Sequence, residues 1–187
     1  MVIPSCPLPF SHNQPVFHFV QQGREILARL SLEDATLTVT SQVTPAANQL
    51  TPWTFVLDDD ATPTLTGSGT QLQRLPSAGE ATRRYRVTPA PDQKSFTVSY
   101  QIQLDRPTEG VLLSASDYWY PTLPDTLVTF DLDLILPPGW LGMSQGSRSL
   151  PAAEPGERRE RWQSPTPQEQ IYLLAGPFNE YIDVRGD

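Results

Sequence analysis

The stretch that decides the fold reads Phe-Thr-Val-Ser-Tyr-Gln-Ile-Gln-Leu over residues 96–104, with apolar and polar residues in strict alternation. Successive side chains of a β-strand point to opposite faces of its sheet, so this alternation predicts a strand with one buried and one polar face. Residues 128–136 repeat the pattern with apolar residues spaced two apart, and residues 36–40 repeat it with threonine at the polar positions. Period-two patterning therefore predicts that the chain is built from β-strands.

Weaker strand patterns fill much of the remaining sequence. They lie at residues 26–32, 53–57, 71–75, 83–88, 111–113, 158–163 and 170–175. Twenty prolines disfavour long helices, because proline lacks the backbone donor and clashes with the preceding turn. One helix candidate is the segment 13–23, which ends in Gly23, although Phe17 and Phe19 within it fit a strand as well. We predict an all-β fold, a mostly antiparallel sandwich or saddle of short strands with at most one short helix.

Length and charge limit the organisation of the chain and its partners. The 187 residues fit one domain, with residues 1–22 expected to be a partly disordered N-terminal extension and residues 23–187 a single β domain. Residues 144–156 are rich in serine, proline, glycine and alanine and are predicted to form a long surface loop. Thirteen basic against 21 acidic residues give a net charge of −8. Because an anionic surface repels phosphate groups, nucleic acid is not expected to be a partner.

Cys6 is the only cysteine, so the chain can form no internal disulfide. Ile3 lies three positions before it, as an aliphatic residue does at the end of a lipoprotein signal, but no charged or long apolar stretch precedes the pair. No run of residues approaches the roughly 18 apolar positions of a membrane-spanning helix, so no transmembrane segment is predicted. Localisation stays open between the bacterial cytoplasm and the cell envelope, the latter through a trimmed export or lipoprotein signal ending at Cys6.

The sequence lacks the usual patterns of catalytic chemistry. Its two histidines, His12 and His18, are six residues apart, which suits neither a helical nor a strand pair of zinc ligands. No G-x-S-x-G elbow, glycine-rich phosphate loop or kinase signature occurs. Residues 58–60 are consecutive aspartates without the glycine and glutamate of a calcium loop, and Asp131 and Asp133 lie on the polar face of a predicted strand. We expect solvated surfaces at both places, no cofactor in this chain, and no enzymatic activity of the chain alone.

The most unusual local feature is the run Tyr118-Trp119-Tyr120-Pro121. In an extended segment three consecutive rings point to both faces, so one face can pack in the core while the other meets a ligand or a neighbouring domain. Core packing of all three rings is the open alternative, because aromatic side chains carry much of the buried area of a β domain. If the segment docks onto a partner, an exposed apolar patch of more than a few hundred Å² is expected around residues 118–123.

The same region resembles the N-terminal domain of the M1 family of zinc aminopeptidases. The motifs that carry the resemblance are the aromatic-proline run continued by Thr122-Leu123-Pro124-Asp125, the segment Val128-Thr129-Phe130-Asp131-Leu132 and the stop Leu136-Pro137-Pro138-Gly139-Trp140. Residues 143–146, Trp162 and residues 174–178 continue the match, which spans roughly residues 24–184. The chain departs from the family pattern where Thr122 replaces a usual cysteine and where residues 123–125 replace the usual Asp-Glu-Pro, which marks it as a diverged relative.

The resemblance implies a saddle-like β domain that packs on the C-terminal metallopeptidase domain of the same polypeptide and helps to wall its peptide-substrate cleft. The candidates for docking or for facing a ligand are then Tyr118, Trp119, Tyr120, Pro121 and Asp125. The family's glutamine or glutamate for the substrate's amino terminus would fall near residues 113–116, which makes Ser114 and Ser116 candidates for the cleft edge. The HExxH zinc motif, its downstream glutamate and the GxMEN loop belong to the following catalytic domain, so zinc is expected only there.

A second hypothesis takes the chain to be a free-standing β-sandwich binding module for a carbohydrate or a cell-envelope partner. Its stacking surface would be Trp119 and Tyr120, together with Trp140 or Trp162. Rings that stack on sugars must be exposed, so the exposure of Trp119 discriminates between this module and a ring that packs in the core.

Overall fold

The fold is taken from a computed structural model that describes residues 20–45, 52–66, 69–76, 82–123 and 126–181. Within these ranges the chain forms thirteen strands and two short 3-10 turns, at Pro107–Glu109 and Ala115–Asp117. The strands are β1 (Val20–Ser31), β2 (Thr36–Thr44), β3 (Trp53–Asp58), β4 (Thr64–Thr66), β5 (Gln71–Arg74), β6 (Thr82–Thr88), β7 (Phe96–Gln103), β8 (Val111–Leu113), β9 (Thr126–Leu136), β10 (Leu141–Met143), β11 (Ser147–Ser149), β12 (Arg158–Gln168) and β13 (Leu173–Gly176). The predicted all-β fold is confirmed.

The strands form one large sheet and two small ones. The large sheet has seven strands in the order β11-β12-β9-β1-β2-β7-β4, and the small sheets have the orders β10-β13-β8 and β3-β6-β5. All pairs are antiparallel except β1 with β9, which run parallel from the pair Val20 and Thr126 to the pair Arg29 and Ile135. The large sheet is therefore mixed, and the small sheets are purely antiparallel.

Both small sheets cover the same face of the large sheet. The rings of Trp53 and Phe55 stack on Phe96 of β7 with centroids 5.4 and 5.7 Å apart, which places the β3-β6-β5 sheet over the β7 end. A Cβ atom on Gly142 of β10 would come within 2.6 Å of the Leu134 side chain, which places the β10-β13-β8 sheet against β9. The single apolar core lies between the large sheet and these two covers.

The other face of the large sheet is polar. One of its cross-strand rows runs from Gln163 through Asp131, Glu25 and Gln42 to Thr97, with an amide, carboxylate or hydroxyl group at each position. Asp131 is exposed, as expected for a solvated face. The Asp133 carboxylate is instead 15% exposed, because it accepts hydrogen bonds from Arg161 and Arg159 on β12.

The structure differs from the sequence prediction at several boundaries. β1 begins at Val20, so residues 20–22 belong to the sheet rather than to an extension, and the end of the predicted helix 13–23 is strand. Residues 13–19 of that helix candidate lie outside the described residues, as does the remainder of the predicted 1–22 extension. The predicted loop 144–156 contains β11, which pairs with β12 from Ser147 to Ser149.

Candidate functional site

The aromatic-proline segment lies inside the domain. Trp119 is 0% exposed and Tyr120 is 3% exposed, while Pro121 and Leu123 are also buried. The segment leaves the 3-10 turn through Tyr118, whose φ of 48° is left-handed, so the chain turns sharply before Trp119. After this turn the rings of Trp119 and Tyr120 pack edge to face at 5.2 Å.

Hydrogen bonds join this segment to all three sheets. The Tyr100 hydroxyl on β7 donates to the Trp119 carbonyl at 2.9 Å, and the Trp119 indole Nε1 donates to the Ile171 carbonyl, just before β13, at 3.2 Å. Thr122 pairs with Val56 of β3 through two backbone bonds of 2.9 and 3.1 Å. Residues 119–122 therefore lie where the large sheet meets both of its covers and satisfy polar groups that would otherwise be buried there.

A buried arginine lies beside the segment. Arg24 of β1 is 4% exposed, and its Nη2 donates to the Pro121 carbonyl at 2.8 Å. Burial lowers the pKa of Arg24 to about 10, with Tyr120 and Tyr100 acting in the opposite direction. Burial also raises the pKa of Tyr100 well above its ordinary value of 10 and raises that of Tyr120. None of these shifts brings a group near neutrality, so this cluster supplies no general acid or base at neutral pH.

These observations correct the sequence interpretation of the segment. Trp119, Tyr120 and Pro121 are enclosed by this domain's own core and do not face a partner or a ligand. The prediction of an exposed apolar patch around residues 118–123 is therefore wrong. Of the three aromatic residues only Tyr118 is half-buried, and the other two are buried. The reason is the turn at Tyr118, which ends the extended alternation on which the prediction depended. Asp125 lies outside the described residues.

The same burial removes the stacking surface of the carbohydrate-binding hypothesis. Trp119 and Tyr120 are in the core, and Trp140 is 5% exposed. Trp162 is half-buried, and the Arg148 guanidinium carbon lies 5.9 Å from its ring centroid. These four rings therefore offer no open aromatic platform on which a sugar could stack.

Ser114 and Ser116 lie beside each other around the 3-10 turn that follows β8. Ser116 is exposed and Ser114 half-buried, with their hydroxyl oxygens 2.7 Å apart. The Asp117 carboxylate accepts from the Ser114 backbone N–H at 2.7 Å and from its hydroxyl at 2.9 Å. The next residue, Ala115, donates its N–H to the Gln170 side chain at 3.2 Å. The pair thus lies in a fixed polar loop at the surface, and its role at a substrate cleft stays a prediction.

The described residues hold no recognisable catalytic or zinc centre. The carboxylate groups of Asp58, Asp59 and Asp60 lie within 4.8 Å of one another, but Asp58 accepts from the Asp60 backbone at 2.9 Å and Asp59 pairs with Arg83 at 3.3 Å, as in an ordinary acidic turn. Zinc in proteins is held mainly by histidine and cysteine, and all three such residues of this chain precede residue 19. Among the described residues, the acidic turn at 58–60 therefore lacks the ligand types of a zinc site.

An open cleft of about 500 Å³ lies on the polar face of the large sheet, at the start of β1. Glu25, Asp131 and Gln163 line it, and the Gln163 amide donates to Asp131 at 2.8 Å. The cleft contains no nucleophile with an adjacent base, which hydrolytic chemistry by a side-chain nucleophile would need.

Sequence reasoning missed an outward row of apolar side chains on the described chain. Leu112 of β8, Leu174 of β13 and Met143 of β10 stand opposite one another in the register of the β10-β13-β8 sheet. Leu112 is 69% and Met143 is 53% exposed. Each strand is only three or four residues long, so no periodicity in the sequence could reveal that their outward side chains form one row.

Comparison with solved structures shows where this fold recurs. Native LTA4 hydrolase from yeast matches with a TM-score of 0.58 at 14% sequence identity, over 83% of this chain and 28% of that chain. Aminopeptidase A from Legionella pneumophila matches with a TM-score of 0.55 at 18% identity, over 84% of this chain and 21% of that chain. An M1 zinc metallopeptidase from Deinococcus radiodurans matches with a TM-score of 0.54 at 14% identity, over 84% of this chain and 42% of that chain.

These matches confirm the resemblance to the M1 N-terminal domain at the level of the fold. No protein-family model and no curated protein matches the sequence. The chain spans between 21% and 42% of the length of each of the three solved chains. Among the described residues no helix is long and apolar enough to cross a membrane.

Proposed function

We propose that this chain is the N-terminal accessory domain of an M1-like zinc metallopeptidase and has no catalytic activity of its own. The observation that carries the proposal is the shared fold, which covers 83% of this chain but 28% of the yeast enzyme. Since the match covers only a minor part of that enzyme, we infer that a domain of this fold packs on the remainder. The catalytic domain of the same polypeptide is therefore the expected partner.

The residue content of the chain also supports the assignment of catalysis to the partner domain. An HExxH motif places two histidines four residues apart on a helix, with the glutamate as general base. This sequence has His12 and His18 and no third histidine, so it contains no such motif. Zinc and the attacking water would belong to the partner domain, and this domain would contribute shape and contacts to the peptide-substrate cleft.

The residues that would edge the cleft are Ser114 and Ser116. Their hydroxyl groups lie at the surface in the loop after β8, and the Asp117 carboxylate fixes the loop from within. Hydroxyl groups in this position can donate to or accept from a peptide backbone. They carry no charge, so they would guide a substrate without anchoring its amino terminus by an ion pair.

The direct test is the polypeptide sequence beyond residue 187. We expect an HExxH motif within the length of one typical domain, about 150 residues. The longer polypeptide should bind zinc and cleave aminoacyl-anilide substrates, and the 187-residue chain should do neither. A polypeptide that continues without such a motif, or turnover by the 187-residue chain, would overturn the proposal.

Ser116→Ala provides a test of the cleft edge within the longer polypeptide. If Ser116 contacts the substrate, this change should raise KM for peptides while zinc content stays constant. Ser99→Ala on the polar face of the large sheet, whose hydroxyl lies 3.0 Å from that of Thr40, is the matched control. Equal KM values for both variants and the parent enzyme would show that Ser116 does not contact the substrate.

A further inference from the structure

The three sheets differ in the chemistry of their outward faces. On the large sheet the central cross-strand row consists of Arg161, Asp133, Leu27, Thr40 and Ser99. Leu27 is the one apolar side chain of this row, and its cross-strand neighbours on both sides are polar. Isolated apolar residues of this kind are normal on a protein surface. This face is suited to contact with water.

The β3-β6-β5 sheet also presents polar groups outward. Arg86 stands between Thr54 and Gln73 in the register, and Arg84 stands opposite Val56. Both arginines are exposed. Charged residues are depleted at the centres of stable interfaces, so this face does not resemble a buried contact.

The β10-β13-β8 sheet has the opposite character. Its outward row consists of Met143, Leu174 and Leu112, with no polar side chain among them. Tyr172, two positions before Leu174 on the same side of the chain, is 41% exposed and extends the row. Exposed apolar side chains grouped in this way indicate a surface that another protein surface covers.

Phe178 enlarges this apolar face. A Cβ atom on Gly176 would meet the Phe178 ring at 2.7 to 3.0 Å, so the absence of a side chain at Gly176 lets the ring lie against the end of β13. The ring nevertheless remains 39% exposed. A large aromatic group is thus held on the outside of the sheet, as expected of an interface anchor rather than of a solvated loop.

Four carboxylates flank the strands of this sheet along the chain, and one of them, Glu180, is paired with Arg148. Glu109 and Glu180 lie at the end of the sheet where β8 begins and β13 ends, and Asp117 and Glu169 lie at the opposite end. All four residues are exposed. An apolar centre with an acidic rim is complementary to a surface that has an apolar centre and a basic rim.

The chain continues from this sheet beside the same face. After β13 it runs through residues 177–181, in which the Glu180 carboxylate accepts from Arg148 at 2.6 Å. Arg148 is itself fixed by the fully buried carboxylate of Glu160, with bonds of 2.9 and 3.1 Å. Residues 177–181 are therefore tied to the core beside the apolar row.

We propose that the outer face of the β10-β13-β8 sheet is the docking surface for the following domain of the same polypeptide, which would meet it with an apolar surface rimmed by basic residues. The inference rests on the proposed function and adds the location and chemistry of the contact. Leu112, Met143, Leu174 and Phe178 form its apolar centre.

Leu112→Lys in the longer polypeptide tests this assignment, with Leu27→Lys on the polar face of the large sheet as the matched control. Hydrogen exchange followed by mass spectrometry would compare each variant with the parent protein. In the parent, β8, β10 and β13 should exchange more slowly than in the 187-residue chain. Leu112→Lys should abolish that added protection and split thermal unfolding into two transitions, whereas Leu27→Lys should preserve both properties.

The other outcomes separate the two proposals. A zinc-binding domain that follows residue 187, with Leu112→Lys behaving like Leu27→Lys, would overturn the docking surface and leave the proposed function intact. Absence of such a domain would overturn both. A stable dimer of the 187-residue chain in sedimentation, dissociated by Leu112→Lys, would assign the face to a second copy and overturn the inference. Unchanged thermal midpoints of the variant 187-residue chains establish that each variant folds.

Discussion

Replacement of Trp119 by alanine tests whether the aromatic-proline segment is core or contact surface. The side chain is 0% exposed, and its indole donates to the Ile171 carbonyl at 3.2 Å. Removal of a buried tryptophan costs roughly 3–5 kcal/mol through lost transfer energy and the remaining cavity. Domains of this kind have a total stability of about 5–15 kcal/mol, so the change would remove a large share of it.

The effect on thermal stability follows from the size of the domain. For domains of 150–250 residues, each kcal/mol shifts Tm by roughly 2–4 °C, so a loss of about 4 kcal/mol lowers Tm by roughly 8–16 °C. Trp119→Phe retains most of the volume but leaves the Ile171 carbonyl without its donor, which costs about 1–3 kcal/mol. The milder variant keeps the test informative if Trp119→Ala does not fold.

Urea denaturation followed by far-ultraviolet circular dichroism measures both variants. Tyr181→Ala is the control, because the Tyr181 ring is 91% exposed and its loss should change stability by less than about 0.5 kcal/mol. A loss below about 1 kcal/mol for Trp119→Ala would refute the reasoning, since a buried anchor cannot be removed at so small a cost. That result would restore Trp119 as a partner-facing residue.

Three further changes probe the polar groups. Tyr100→Phe should cost roughly 1–3 kcal/mol in urea, because the buried Trp119 carbonyl loses its donor. Glu160→Gln should cost roughly 3–5 kcal/mol, since two arginines lose a fully buried counter-charge. Burial alone would raise the pKa of Asp133, but hydrogen bonds from Arg161 and Arg159 outweigh it and hold that pKa below its ordinary value of 3.8. The stability that Asp133→Asn removes should therefore be present at neutral pH and vanish as the pH falls below about 3.8.

Each of these changes has a control on the same molecule. Tyr181→Phe should leave the urea midpoint unchanged, and Glu180→Gln, at a carboxylate that is 43% exposed, should cost less than Glu160→Gln. Asp131→Asn is the control for Asp133→Asn. Asp131 lies on the same strand face, but its carboxylate accepts a hydrogen bond from the neutral Gln163 amide and not from arginines. If the effect of Asp133→Asn persisted unchanged at pH 2.5, the ion pair would not be its source.

The strands with the clearest sequence patterns are those with one buried face. β7 and β9 alternate over eight and eleven residues, and the burial of Val98 and Leu132 follows that alternation. β10 and β11, with three residues each, are too short for any periodicity to be visible. The parallel pairing of β1 with β9 joins residues about a hundred positions apart, so it is set by tertiary packing and not by local sequence.

The docking interpretation of the aromatic-proline segment failed for a local reason, whereas core packing, the alternative that the sequence left open, holds for Trp119 and Tyr120. The prediction treated residues 118–121 as extended, which would send alternate rings to opposite faces. The 3-10 turn and the left-handed Tyr118 break that alternation, and the junction of three sheets provides enough apolar surroundings to bury both Trp119 and Tyr120. Three separate segments contribute Leu112, Met143 and Leu174 to the exposed row, so only the fold brings them together.

The claim on which the account rests is that the outward row of the β10-β13-β8 sheet is exposed on this domain while the aromatic-proline segment stays internal. Hydroxyl-radical footprinting of the 187-residue chain measures this directly, with rates corrected for the intrinsic reactivity of each side chain. The account predicts rapid modification of Leu112 and Tyr172 and strong protection of Trp119 and Tyr120. Modification of Trp119 at the corrected rate of Leu112 would contradict it.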